Sequence, residues 1–190
     1  MLFGITAGIS ILAVALICVF LFVNGIPALA EIGFPDFFLG TTWRPANDLY
    51  GIFPMIAGSI YVTAGAIILG VPIGILCAIY LSRFASSRVV RIVRPSVELL
   101  AGIPSVVYGF FGLIIVVPFI RHLAPGNGLS LLAASILLGI MILPTIVTVA
   151  KNSLDTVPQK YYEGARALGA GHERSIFTIV FPSALSGIEV

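Results

Sequence analysis

Four uncharged apolar runs, at residues 2–23, 52–82, 99–120 and 123–150, constrain this chain more than any other feature. About 20 apolar residues at 1.5 Å rise cross the roughly 30 Å hydrocarbon core of a bilayer. Each run therefore has the length of a transmembrane helix. The polar backbone groups of a spanning segment have to be satisfied internally, so a polytopic all-α bundle is the expected fold class. Spans are placed at about 2–23, 54–82, 99–120 and 129–150. A fifth apolar run starts at about residue 176 and reaches Val190, about half a span. With Glu189 at its end, this half-helix is expected to stay near the interface or be disordered. No Arg-rich region precedes the first run and no small-x-small cleavage site follows it, which favours a retained first helix over a signal peptide.

Only 9% of the residues are charged, against about 25% in an average soluble domain. The net charge of +2 is too small and too scattered to suggest nucleic-acid binding. The distribution of the basic residues is more informative. Arg83, Arg88, Arg91 and Arg94 lie between the second and third spans, and Lys151, Lys160, Arg166 and Arg174 follow the fourth. The remaining two connections hold only Arg44 and Arg121. Eight against two puts the N-terminus and the segment 151–175 in the cytoplasm by the positive-inside rule. The expected location is the cell (plasma or inner) membrane, with multiple crossings.

The connection 24–51 then lies outside. It carries turn signals at Asn24-Gly25, Pro27, Pro35, Gly40, Pro45 and Asn47-Asp48, interleaved with Phe34, Phe37, Phe38, Trp43 and Tyr50. Such aromatics form an interfacial belt, or alternatively a docking surface for an external partner. Cys18 and Cys77 sit inside apolar runs and read as small buried hydrophobes. His122 and His172 are isolated in sequence, so neither suggests a metal site or a nucleophile–base pair. No constellation of an enzyme is visible, and no cofactor is expected to bind this chain. Glu98, next to Pro95-Ser96, reads as a residue of the first turn of the third span, where the helix dipole favours it, or alternatively as an acid marking a transport path.

Two segments stand out. In the third span, Leu99-Leu100-Ala101-Gly102-Ile103-Pro104-Ser105-Val106-Val107-Tyr108-Gly109 places a proline one turn inside an apolar helix. Pro104 donates no amide hydrogen and frees the carbonyl of Leu100. Gly102 and Gly109, seven apart, share a face. Gly102, Pro104, Ser105 and Tyr108 either form a kinked packing helix or border a translocation path. Interruptions at Gly70, Pro72, Gly74, Gly139 and Pro144 suit a transporter better than an anchor. The second segment follows the fourth span. Thr156-Val157-Pro158-Gln159 reads as a helix start, with Tyr161, Ala165 and Leu168 on one face and a left-handed stop at Gly169. Nothing else in the sequence covers that face, which is shaped to fit a groove on another subunit.

The spacing Glu163-Gly164-Ala165, three residues, Gly169, nine residues, Ile179, one residue, Phe181-Pro182 resembles the EAA loop of ABC importer permeases. Gly164 stands for an Ala of that pattern and Phe181 for a Leu. The segment 99–109, the run Phe38-Leu39-Gly40-Thr41-Thr42-Trp43 and the stretch from Val71 to Ser82 are similar to PstC-type phosphate permeases. The resemblance implies a MetI-like permease fold, covering nearly all of residues 1–190. It implies that Tyr161, Glu163, Gly164, Ala165, Leu168, Gly169 and Pro182 couple to an ATPase subunit (PstB-like), which uses the ATP. It further implies a second permease subunit (PstA-like), an external phosphate-binding protein (PstS-like), phosphate as cargo and lipid as surroundings. An Arg-Ala-Leu-Gly-Glu-Thr-like stretch is expected in the following span, beyond Val190. A permease for sulfate, molybdate or an organic solute, and a non-transporting membrane scaffold, are the alternatives.

Overall fold

The computed structural model describes residues 2–123 and 128–188; Glu189, invoked above, lies outside them. The chain divides into two compact units, Met1–Ser59 and Ile60–Val190.

In the first unit, α1 (Leu2–Ile32) runs nine residues past the expected end of the first span. The Asn24-Gly25 turn signal is overridden because the Asn24 amide donates back to the Phe20 carbonyl at 2.7 Å, keeping the polar side chain on the helix. Pro27 is accommodated within α1, and the helix stops at Gly33, whose φ is +90°. The side chains of α1 are exposed along nearly its whole length, so Cys18 is exposed, not buried as expected. After α2 (Phe34–Leu39), the hairpin of β1 (Trp43–Arg44) and β2 (Leu49–Tyr50) pairs Trp43 with Tyr50 and Arg44 with Leu49. The left-handed Asp48 turns the chain, and the rings of Trp43 and Tyr50 meet edge-on at 6.0 Å.

The helix α3 (Phe53–Ile79) opens in the first unit and continues into the second, ending in a wide π-type turn, Tyr80–Phe84. Then come α4 (Ser87–Ala101), α5 (Ser105–Phe111), a π turn at Gly112–Val116, α6 (Val117–Leu123) and α7 (Leu131–Thr156). The Ser130 side chain caps α7 by accepting from the Ala133 amide at 3.3 Å. The chain ends through α8 (Gln159–Ala167), α9 (His172–Ser175), a π turn at Ile176–Val180 and α10 (Phe181–Ile188).

Among the described residues, four helical stretches are long and apolar enough to cross a membrane: Phe3–Ile32, Phe53–Phe84, Ser105–Leu123 and Leu131–Thr156. The third differs from the expected 99–120. Leu99, Leu100 and Ala101 close α4, a separate amphipathic helix, and the span opens only at Ser105. Glu98 is consequently in the last turn of α4, where the dipole opposes it, and Arg94 holds its carboxylate at 3.0 Å. The fourth span runs on to Thr156, so the residues from Lys151 to Thr156 belong to α7 and not to the connecting loop. The run from Ser175 is ordered and packed against the rest of its unit. It is helical to Ile188, and Ile176, Val180 and Ala184 are buried with Ala78, Ile79, Ala150, Leu154 and Val157 in the main apolar core. Apolar contact with α3 and α7 supplies what half a span lacks on its own.

The α3–α7 seam is lined by small residues. A Cβ on Gly65 would lie 2.4 Å from the Ser135 hydroxyl, one on Gly70 3.1 Å from the Gly139 carbonyl, and one on Gly74 2.6 Å from Ile146. Close helix contact of this kind is the reason membrane helices keep glycine at interfaces. The Ser135 hydroxyl crosses the seam to the Val62 carbonyl at 3.2 Å.

Candidate functional site

Pro158 precedes α8 without any side-chain cap. Thr156, expected to cap it, instead ends α7 and bonds the Ser153 carbonyl at 2.7 Å. The other end follows the expected stop. Gly169 has φ +87°, its amide donates to Arg166 O at 3.0 Å, and the Ala170 amide donates to Ala165 O at 3.1 Å. These two bonds make a Schellman motif, in which a left-handed residue satisfies the last carbonyls of the helix. The Arg166 guanidinium adds a bond to Ala170 O at 3.1 Å.

Of the seven residues singled out around the loop, Tyr161 (48% exposed) and Leu168 (91% exposed) stand out from the fold, with Glu163 and Gly164 also exposed. Ala165 is half-buried. Together with Leu168, Gly169, Arg174 and Ile179 it lines a shallow concavity beside the helix end. Pro182 sits apart, in the first turn of α10. The chain meets Pro182 with a wide π turn. The Phe181 amide reaches back to Ile176 O, an i→i−5 bond that shifts the backbone before the ring arrives.

The anchoring side of α8 was not legible from the loop pattern. Tyr162, one residue round from Tyr161, packs on the main core. Its hydroxyl and His172 Nδ1 are hydrogen-bonded at 2.8 Å. The His172 ring also stands edge-on to Phe84 at 5.0 Å and to Tyr162 at 5.7 Å. His172, isolated in sequence, thus clamps α8 to the end of α3. The available signal was its ten-residue offset from Tyr162 across the Gly169–Gly171 turn. A second tie joins α3 to α7. Ser82 Oγ donates to Asp155 at 2.6 Å, Arg83 Nη2 donates to the Leu154 carbonyl, and Lys151 pairs with Asp155. The chain therefore holds α8 by one face, on a base made from the ends of α3, α7 and α9, and leaves the other face open.

The third-span residues divide. Gly102, at φ −80°, ends α4; Pro104 is extended (ψ 141°) and precedes α5; Ser105 opens it. All three are exposed, whereas Tyr108 is buried. Gly102 and Gly109 do not share a face, because the break puts them on different helices. The Leu100 carbonyl freed by Pro104 is satisfied twice, by the Ile103 amide at 3.3 Å and the Tyr108 hydroxyl at 2.8 Å. A full break in a membrane helix is tolerated where such substitutes exist.

These features define a multi-pass helical membrane protein with a helix presented from one end of its bundle. The fold is shared with a chain of the MetNI methionine ABC transporter in an inward-facing conformation, with a TM-score of 0.54 and 26% identity. That match covers 73% of this chain and 62% of the other. Residues 70–188 match the family described as binding-protein-dependent transport system inner membrane component, and the chain belongs to that family. Relatives include the probable ABC transporter permease protein YqgH of Bacillus subtilis (strain 168), 38% identical over 93% of this chain. The phosphate transport system permease protein PstC of Mesorhizobium japonicum is 33% identical over 90% of it. A probable PstC of Methanocaldococcus jannaschii is 30% identical over 91%. The chain spans 58–62% of the length of these three relatives.

Proposed function

We propose that this chain is a permease subunit of an ATP-driven, binding-protein-dependent importer, and that its cargo is phosphate. The observation that carries the transport reading is α8: clamped through Tyr162 and His172, ended by the Schellman turn at Gly169, and open along Tyr161 and Leu168. An apolar helical face held rigidly and left uncovered suits a groove on another protein. In this reading Tyr161, Glu163, Gly164, Ala165, Leu168 and Gly169 meet an ATPase subunit on the cytoplasmic side, with Pro182 shaping the helix behind them. The ATPase hydrolyses ATP and moves α8. The clamp carries that displacement to α3 and α7, which gives alternating access together with a second permease subunit. The break at Gly102, Pro104 and Ser105, with Tyr108 holding its backbone, borders the path.

Phosphate is supported by the PstC names of the relatives at 30–33% identity. A permease for another solute is the second reading, favoured by the 38% identity to YqgH, whose name carries no cargo. The test expresses the full-length protein in cells lacking their own phosphate permease, with the ATPase, the second permease and the binding protein present. Uptake of labelled phosphate that requires the binding protein is the expected result. Uptake of sulfate or an organic solute without phosphate would transfer the chain to the second reading. Loss of ATPase co-purification with the permease would remove the transport reading itself.

A further inference from the structure

We propose that α4 lies on the membrane surface and binds anionic phospholipid headgroups through Arg88 and Arg91. The helix is about 22 Å long at 1.5 Å per residue. It is tied closely at both ends: two residues separate the span Phe53–Phe84 from Ser87, and three separate Ala101 from the span Ser105–Leu123. Two consecutive spans leave their connection on one face of the membrane, so α4 is tethered there by both ends. Its packing sets the same level. Val97 and Glu98 line a small cleft together with Val147, Lys151 and Asn152, in the last turns of α7 where its charged residues begin.

The sides of α4 divide cleanly. Val89, Val90, Val93, Val97 and Leu100 are half-buried on one side. Arg88, Arg91, Ile92 and Leu99 occupy the other, with Ile92 70% and Leu99 74% exposed. Arg94 is neutralised by Glu98. Among the described residues, Arg88 and Arg91 have no carboxylate partner. A helix face that combines free guanidinium groups with exposed large aliphatic side chains matches the boundary between acidic headgroups and acyl chains. A soluble partner would bury the arginines against carboxylates and would leave Ile92 and Leu99 without the apolar depth that acyl chains provide. The inference does not depend on the cargo, or on which solution the face meets.

The test uses the full-length chain with Cys18 and Cys77 replaced and an environment-sensitive fluorophore on Ile92→Cys. It is reconstituted in phosphatidylcholine vesicles with and without phosphatidylglycerol. Phosphatidylglycerol should shift the emission toward that of an apolar surrounding, and about 1 M salt, with a screening length of about 3 Å, should reverse the shift. Arg88→Gln with Arg91→Gln should abolish the lipid and salt dependence, at about 5-fold in the docked-to-undocked ratio per arginine. The double Lys variant should retain it. The phosphatidylglycerol dependence of the parent protein is read without any arginine substitution, so misfolding of the Gln variant would not hide the answer. Equal emission in both vesicle types would overturn the proposal. So would a shift that appears only when the second permease is reconstituted alongside, which would assign the face to a protein contact.

Discussion

Gly169 and Gly164 are five residues apart and make opposite demands. At φ +87° Gly169 holds a backbone conformation that costs a β-branched residue about 1–2 kcal/mol. No atom lies within 4 Å of a Cβ placed there, so the cost is purely conformational and local to the end of α8. Gly169→Val in the full-length protein should leave membrane insertion intact while ATPase co-purification and transport fall. Undiminished ATPase binding would refute the docking role. Gly164 is helical, and a Cβ there also meets open space. Gly164→Ala should preserve transport and favour α8 by about 1 kcal/mol, read as greater protection of its amides from hydrogen exchange. A loss of transport in Gly164→Ala would show that the partner approaches the backbone at that position.

At the scale of elements, apolar length announced the spans but not where they stop. Composition dictates that about 20 residues sit in hydrocarbon, whereas ends are decided by single residues. Gly33 at φ +90°, where α1 stops, and the extended Pro104 between α4 and α5 are two of them. The loop stop at Gly169 was legible because only a left-handed residue closes a helix that way, and that residue is usually glycine. The π turns were not legible. Two of the three, at Gly112–Val116 and Ile176–Val180, precede a proline by two residues, Pro118 or Pro182, and depend on how that ring is accommodated by packing in three dimensions. The clamp of Tyr162, His172 and Phe84 was hidden for a similar reason, since it joins segments 78 to 88 residues apart with the fold as the only link. For the break before α5, the structure refines the expectation from one kinked helix to two. Single cysteines from Gly102 to Tyr108 in the assembled complex should react with small aqueous thiol reagents at Gly102, Pro104 and Ser105. Nucleotide should change those rates, and Tyr108→Cys should react slowest because that side chain is buried. Inertness at every position in all nucleotide states would reduce the break to a packing feature.

For the whole molecule, the eight-to-two division of basic residues predicts an orientation that labelling can read. With Cys18 and Cys77 replaced, cysteines at Ser87 and Thr156 should resist an impermeant thiol reagent in intact cells, and one at Asn47 should be labelled. All three sites are exposed, so protection would report the membrane and not burial. Labelling at Ser87 from outside would reverse the topology and move α8 to the wrong compartment for an ATPase. The glycine seam between α3 and α7 bears on a different property, the electrical tightness of the membrane. The helices meet so closely at Gly70 and Gly139 that a Cβ on Gly70 would already crowd the Gly139 carbonyl at 3.1 Å, which leaves no space for a file of water along which protons and ions leak. The seam is therefore a seal, and in the proposed transport reading the route for cargo opens along another face of these helices. Prising it apart with a large side chain at Gly74 should raise the proton leak of vesicles that hold the protein.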